Sequence, residues 1–147
     1  MSVRYNRGKL RIAEAGWPNL DLRCLVLAGA SVPVGAESPD LNFVSDLLAV
    51  VDVVEAAEVG ALSGYARKTL TGLTVAEDDT ADVANFHATI PAYAETESGT
   101  WRAVVVYEEG ASDAARALVS LHTITPLVTN GGGVTLTEPT DGPIGQG

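Results

Sequence analysis

The order of apolar and polar positions turns sharply at Leu20. Leu20-Asp21-Leu22-Arg23 alternates, and Cys24 to Ala28 is then continuously apolar, the pattern of a strand running into a core. Upstream, Lys9 to Ala15 carries a weak apolar stripe through Leu10, Ile12 and Ala13, bounded by Gly8 and by Gly16 and Pro18. That spacing predicts a short helix or an extended arm. Downstream, Pro33, Gly35 and Pro39 among small residues predict an irregular connection over Gly29 to Pro39. Ser38 or Asp40 can then cap a short helix from Leu41 to about Val50, with Leu41, Val44, Leu47 and Leu48 near one face. Val50 to Val54 suits a helix end or a strand, and a helix followed by a β run is expected.

From Gly64 onward the punctuation is that of β structure. Ala66 to Val75 is rich in Thr, Leu and Val, and Glu77-Asp78-Asp79-Thr80 makes a polar turn. Val83 to Ile90 follows as a half-buried strand. After a turn at Glu95 to Thr100, Trp101 to Tyr107 is apolar on both parities except at Arg102, which predicts a central strand, the most buried element of the fold. Glu108 to Asp113 reads as an acidic turn and Ala117 to Ile124 as another strand. Thr129-Asn130-Gly131-Gly132-Gly133 then turns into a final strand, Val134 to Thr137. Short strands without intervening long helices predict a mainly β fold, an antiparallel sandwich or barrel with one or two short peripheral helices. Residues 1–138 are expected to form a single β-rich domain with a basic N-terminal segment, and the Pro/Gly-rich residues 139–147 a mobile or partner-docked tail.

Length and composition narrow this picture. A chain of 147 residues is expected to build one core, and with 46% hydrophobic but only 5% aromatic residues that core is expected to be aliphatic and thin. No stretch reaches the roughly 18 apolar residues of a membrane span, and no signal-peptide order opens the sequence, so a soluble protein is expected. The single Cys24 cannot form an internal disulfide and reads as a small buried hydrophobe. The net charge of −10 argues against nucleic acid as a partner. That charge is uneven. Residues 1–11 carry Arg4, Arg7, Lys9 and Arg11 and no acid, leaving 5 of the 9 Lys and Arg and all 19 Asp and Glu elsewhere, a net of −14. The basic segment is either a solvated terminus or a partner-binding patch for an acidic surface, including that of a neighbouring copy.

Candidate chemistry is sparse. His87 and His122 fall in separate predicted strands with no metal-binding spacing and read as ordinary hydrogen-bonded strand residues. No GxSxG elbow or phosphate loop occurs, and Gly131-Gly132-Gly133 lacks the spacing, lysine and helix of one. Glu77, Asp78, Asp79 and Asp82 could offer oxygen ligands to Ca²⁺ but read as a solvated turn. Trp17 and Trp101 could form a sugar platform, although Trp101 suits the core and Trp17 a partner contact. No enzymatic activity, cofactor or metal is expected.

Several segments resemble a family of small tailed-phage virion proteins described as minor capsid or head-decoration proteins. Gly64-Tyr65-Ala66-Arg67-Lys68-Thr69-Leu70 resembles the family's "GY-R--L" strand, followed at a similar distance by the acidic turn Glu77-Asp78-Asp79-Thr80 with Asp82. Trp101 to Tyr107 resembles its central strand, Leu41-Asn42-Phe43-Val44-Ser45-Asp46-Leu47 its Ser-Asp helix, and Val134 to Thr137 its closing strand. Tyr5 to Leu10 and Leu20 to Leu27 are more loosely similar. The sequence departs from the family at Leu118 to Leu127, which lacks the expected aromatic and acidic residues, and in its longer Pro/Gly tail. The resemblance implies a bacteriophage structural protein, an accessory decoration or minor capsid component on the head exterior. It also implies homo-oligomers, the major capsid protein or other virion proteins as partners, and a virion location after synthesis in the host cytoplasm. Two other readings stay open: a tail- or fibre-associated glycan-binding module, which would need exposed Trp or Tyr, and a small hydrolase, which would need a deep cleft and a carboxyl of raised pKa.

Overall fold

The computed structural model describes residues 2–56, 65–80, 82–93, 96 and 99–137. Gly64, Glu95 and the tail at 139–147 lie outside the described residues. The protein runs through β1 (Ser2–Arg4), α1 (Asn6–Ala15), β2 (Leu22–Ala28), α2 (Val44–Leu48), β3 (Val54–Glu55), β4 (Lys68–Thr69), β5 (Thr71–Asp78), β6 (Val83–Thr89), β7 (Gly99–Glu108) and β8 (Leu118–Thr129). Single 3-10 turns lie at Trp17–Asn19 and Val34–Glu37. Strands take 44% and helices 18%, and among the described residues all sheet pairing is antiparallel and no barrel closes, so the fold is mainly β and sandwich-like.

The main sheet has the order β1-β8-β7-β2-β3, and β4 also pairs with β2. The strand predicted at Trp101 to Tyr107 is central: β7 lies between β2 and β8 along most of its length. Its apolar character on both parities has a physical cause, because both faces of this sheet are covered. On one face Leu22, Cys24, Val26, Val104 and Val106 pack with Trp17, Tyr65, Tyr93 and Ala88. On the other, Leu25, Leu27, Val105, Tyr107 and Leu121 pack with Tyr5, Ala36, Val44 and Leu47. Trp101 and Ala103 share parity yet face opposite cores, because the β7–β8 register shifts between them. The β5–β6 ribbon forms a separate two-stranded sheet whose Leu73, Phe86 and Ala88 lean on the first core.

Several boundaries differ from the sequence expectation. The N-terminal segment is a helix that begins at Asn6 and passes through Gly8, since a glycine here lets the helix approach β8. The helix expected from Leu41 to Val50 shortens to Val44–Leu48, and its cap is Asp46, whose Oδ2 accepts the N–H groups of Asn42 and Phe43 at 3.3 and 2.9 Å. Beyond it the β run appears among the described residues at Val54–Glu55. β8 continues past Ile124 through Pro126. Proline is tolerated there because β1 covers β8 only from Ser120 to His122, leaving the outer edge of the later residues without a strand partner among the described residues. Val134 makes one antiparallel bridge with Tyr93 in place of a closing strand. Trp17, expected at a partner contact, is 1% exposed and donates its indole N–H to the His87 carbonyl at 3.0 Å, tying β6 to the end of α1.

The edge of β2 opposite β7 is built in an unusual way. β3 pairs with Leu27 and Ala28 while β4 pairs with Arg23 and Cys24, so the two are halves of one interrupted edge strand. Val26 faces the gap. Its carbonyl accepts the Ala56 N–H at 2.8 Å, and its N–H donates to the Tyr65 hydroxyl at 3.1 Å. That hydroxyl in turn donates to Glu55 Oε2 at 2.7 Å, so one side chain supplies the bond that a continuous strand would have made. Tyr65→Phe is expected to lower unfolding free energy by about 1–3 kcal/mol, the cost of leaving a buried amide unpaired. Urea unfolding gives the number, and hydrogen exchange should show the Val26 amide losing protection. An unchanged midpoint would remove Tyr65 from this role.

Candidate functional site

The structure places the four basic residues of the N-terminal segment in different settings. Arg4 stands in β1 opposite Ser120 and is half-buried. Arg7, Lys9 and Arg11 share α1. The Arg7 guanidinium lies 5.3 Å from the centre of the Phe43 ring, and exposed Lys9 reaches Asn6 Oδ1 at 3.4 Å. Arg11 is committed internally. Its Nε and Nη2 donate to the two oxygens of Glu108 at 2.6 and 3.0 Å, and its Nη1 to Glu14 at 2.6 Å. These bonds, those to Glu108 first, push its pKa up. The fork geometry clamps α1 to the end of β7. The basic residues of the segment outside this clamp are Arg4, Arg7 and Lys9.

Sequence reading missed the largest polar assembly, a ladder of alternating charges along one end of the sheet. Arg67 donates to both Glu55 oxygens at 2.9 and 2.7 Å and to both Asp113 oxygens at 2.6 and 3.2 Å. Arg116 then joins Asp113, at 2.7 Å, to Glu109. Arg23 Nε lies 2.9 Å from Glu109 Oε2 and 3.7 Å from Asp21 Oδ1, ion pairs in which its N–H is not aimed along a hydrogen bond. The Arg67 guanidinium also sits 5.6 Å from the centre of the Tyr107 ring. The ladder thereby ties β3, the lead-in to β4, β2 and the β7–β8 loop together. Local signals for it were limited to the short-range pairs of Asp113 with Arg116 and Asp21 with Arg23.

The ladder sets an acid limit. Hydrogen bonds from Arg67 foremost hold the Asp113 carboxyl below its usual range, and Arg116 does the same for Glu109. Carboxyls with a lower pKa folded than unfolded stabilise the fold fully above their ordinary values of 3.8 and 4.5, and lose that contribution as pH falls through the folded ones. Melting temperature is therefore expected to fall steeply below about pH 4. Asp113→Asn should flatten that limb of the curve, and an unchanged slope would show that the ladder does not set it.

The acidic cluster caps the β5–β6 ribbon. Glu77, Asp79 and Asp82 are exposed, and Asp78 Oδ1 accepts the Thr80 N–H at 3.0 Å, as in a solvated turn. Among the described residues no group of three or more His, Cys, Asp or Glu is placed to hold a metal ion. His122 is buried on β8, with Nε2 3.1 Å from Ser120 Oγ, and the His87 carbonyl receives the Trp17 indole. Cys24 is fully buried, and burial pushes its thiol pKa up. Both Trp and all four Tyr of the protein are buried, the most exposed of them at 4%. Among the described residues, no helix is long and apolar enough to cross a membrane. Compared with protein-family models, with curated proteins and with solved structures, the sequence and its fold give no match.

Proposed function

We propose that this protein is a structural component of a tailed-phage virion, an accessory decoration or minor capsid protein on the head exterior. It would work as a homo-oligomer in contact with the major capsid protein or other virion proteins. One observation carries the reading. Within the segment that resembles the family's "GY-R--L" strand, Tyr65 fills the gap in the edge strand, Arg67 centres the charge ladder and Leu70 is buried in the core. Tyr65, Arg67 and Leu70, three of the residues behind the resemblance, thus help hold the sheet edge together, which supports an architectural role. A body clasped by long-range ion pairs suits a subunit that holds one shape in many copies, where weak contacts add through multivalency. A net charge of −10 would keep decorated particles apart. The glycan-binding reading needs exposed Trp or Tyr, and all six are buried.

Arg4, Arg7 and Lys9 are the docking residues on this reading, while Arg11 keeps α1 in place. The test is the solution mass by light scattering, followed by co-sedimentation with candidate capsid particles. A closed oligomer that pellets with particles, and whose Arg4→Glu, Arg7→Glu, Lys9→Glu variant stays in the supernatant while still folded, supports the proposal. A monomer that ignores particles overturns it.

A further inference from the structure

We infer that Asn130–Gly131 is a site of spontaneous deamidation, a slow one-way modification at the point where β8 ends. Nothing in this inference depends on the virion reading. The protein has five asparagines, and Asn130 alone precedes glycine; the others precede Arg7, Leu20, Phe43 and Phe86. Attack by the next residue's backbone nitrogen on the asparagine side chain is hindered by any side chain on that residue, and Gly131 has none. Its backbone is at φ +95°, a region open to glycine, and a Cβ there would find nothing closer than Thr96 O at 3.8 Å. Both residues are exposed, and β8 ends at Thr129, so the strand ladder does not reach Asn130. The side chain is also folded toward the following backbone, since Asn130 Oδ1 accepts the Gly132 N–H at 3.4 Å. That bond draws electron density from the carbon to be attacked.

The reaction needs only water. The Gly131 nitrogen loses its proton to solvent and bonds to Asn130 Cγ, closing a five-membered succinimide, and the bond from Cγ to Nδ2 breaks to release ammonia. Water then opens the ring at either carbonyl, leaving aspartate or isoaspartate with no change of oxidation state. The isoaspartate product adds a carbon to the backbone just before a latch. Gly132 O accepts the Thr96 hydroxyl at 2.9 Å, and Tyr93 and Val134 exchange both backbone bonds at 2.8 Å. Lengthening the backbone here shifts the register of that latch and loosens Val134 from the core it packs on.

The test is peptide mapping by mass spectrometry of the full-length protein aged in neutral and mildly alkaline buffer, beside the same protein in denaturant. Expected is a mass gain equal to exchange of NH₂ for OH at Asn130, split between aspartate and isoaspartate, faster at higher pH, with the other four asparagines intact. Asn130→Gln should abolish it. Gly131→Ala should slow it about tenfold, reflecting both crowding at the nitrogen and the poor fit of an L residue to this backbone. In the isoaspartate fraction, the Tyr93 and Val134 amides should exchange faster. An Asn130 that stays intact in the folded protein while it converts in denaturant overturns the inference, as does equal conversion at all five asparagines.

Discussion

Gly8→Ala is expected to destabilise the protein by about 3 kcal/mol or to prevent folding, at the upper end of what overpacking costs. In an ordinary helix interior the same exchange gains about 1 kcal/mol, because alanine loses less backbone entropy and covers the helix. Here the sign reverses. The added Cβ would stand 2.5 Å from Val119 Cα, 2.8 Å from Val119 O and 2.9 Å from Leu118 O. All three are backbone atoms of β8, which β7 holds at Leu118 and which both β1 and β7 hold from Ser120 to His122, so no side chain can swing aside to make room. The helix would have to lift. Lifting it strains the Tyr5 N–H bond to Val119 O at 3.0 Å, the buried Tyr5 hydroxyl bond to Ala36 O at 2.7 Å, and the Arg11–Glu108 clamp. Urea unfolding measures the loss, with Ala13→Gly on the exposed face of α1 as a comparison costing about 1 kcal/mol. A Gly8→Ala protein as stable as the parent would mean that α1 does not ride on β8 as described.

Arg67→Ala carries the second large effect, a loss of about 2–4 kcal/mol in unfolding free energy. Removing one partner of a fully buried pair costs about 3–5 kcal/mol, and an exposed pair contributes no more than about 1 kcal/mol. Arg67 sits between those limits at 22% exposure but serves two carboxylates at once, leaving Glu55 and Asp113 facing each other without a cation between them. Arg67→Lys should recover only part of the loss, since an ammonium cannot form forked bonds to two carboxylates. A double-mutant cycle with Asp113→Ala should return a coupling of about 1 kcal/mol or more. The cost of Arg67→Ala should also shrink below about pH 4, where Asp113 takes up a proton and no longer needs the cation. Additive effects in the cycle would show that the ladder is a set of independent surface contacts.

Both predictions concern contacts between residues far apart in sequence, and that separation marks the limit of what could be read from it. The strands were legible because the β signal is local. Leu20 to Ala28, Val83 to Ile90 and Trp101 to Tyr107 declare themselves by alternation or by an unbroken apolar run over a few residues, and β2, β6 and β7 follow. An apolar run on both parities further implied that β7 would be central, and it lies between β2 and β8 with residues in both cores. Local pattern also located a helix near Val44–Leu48 and the buried state of Cys24. The charge asymmetry of the N-terminus was plain from composition. What composition cannot express is direction: Arg11 turns inward to a carboxylate 97 residues away. The same holds for Tyr65 in the broken edge strand, for Arg67 bridging partners 12 and 46 residues distant, and for Gly8 against β8. A hydrophobic period is imposed by the geometry of one strand or one helix turn, so it is written in neighbouring residues. An ion pair or a close backbone approach exists only once separate elements have docked, so tertiary structure alone decides which arginine faces solvent and which one holds the fold together.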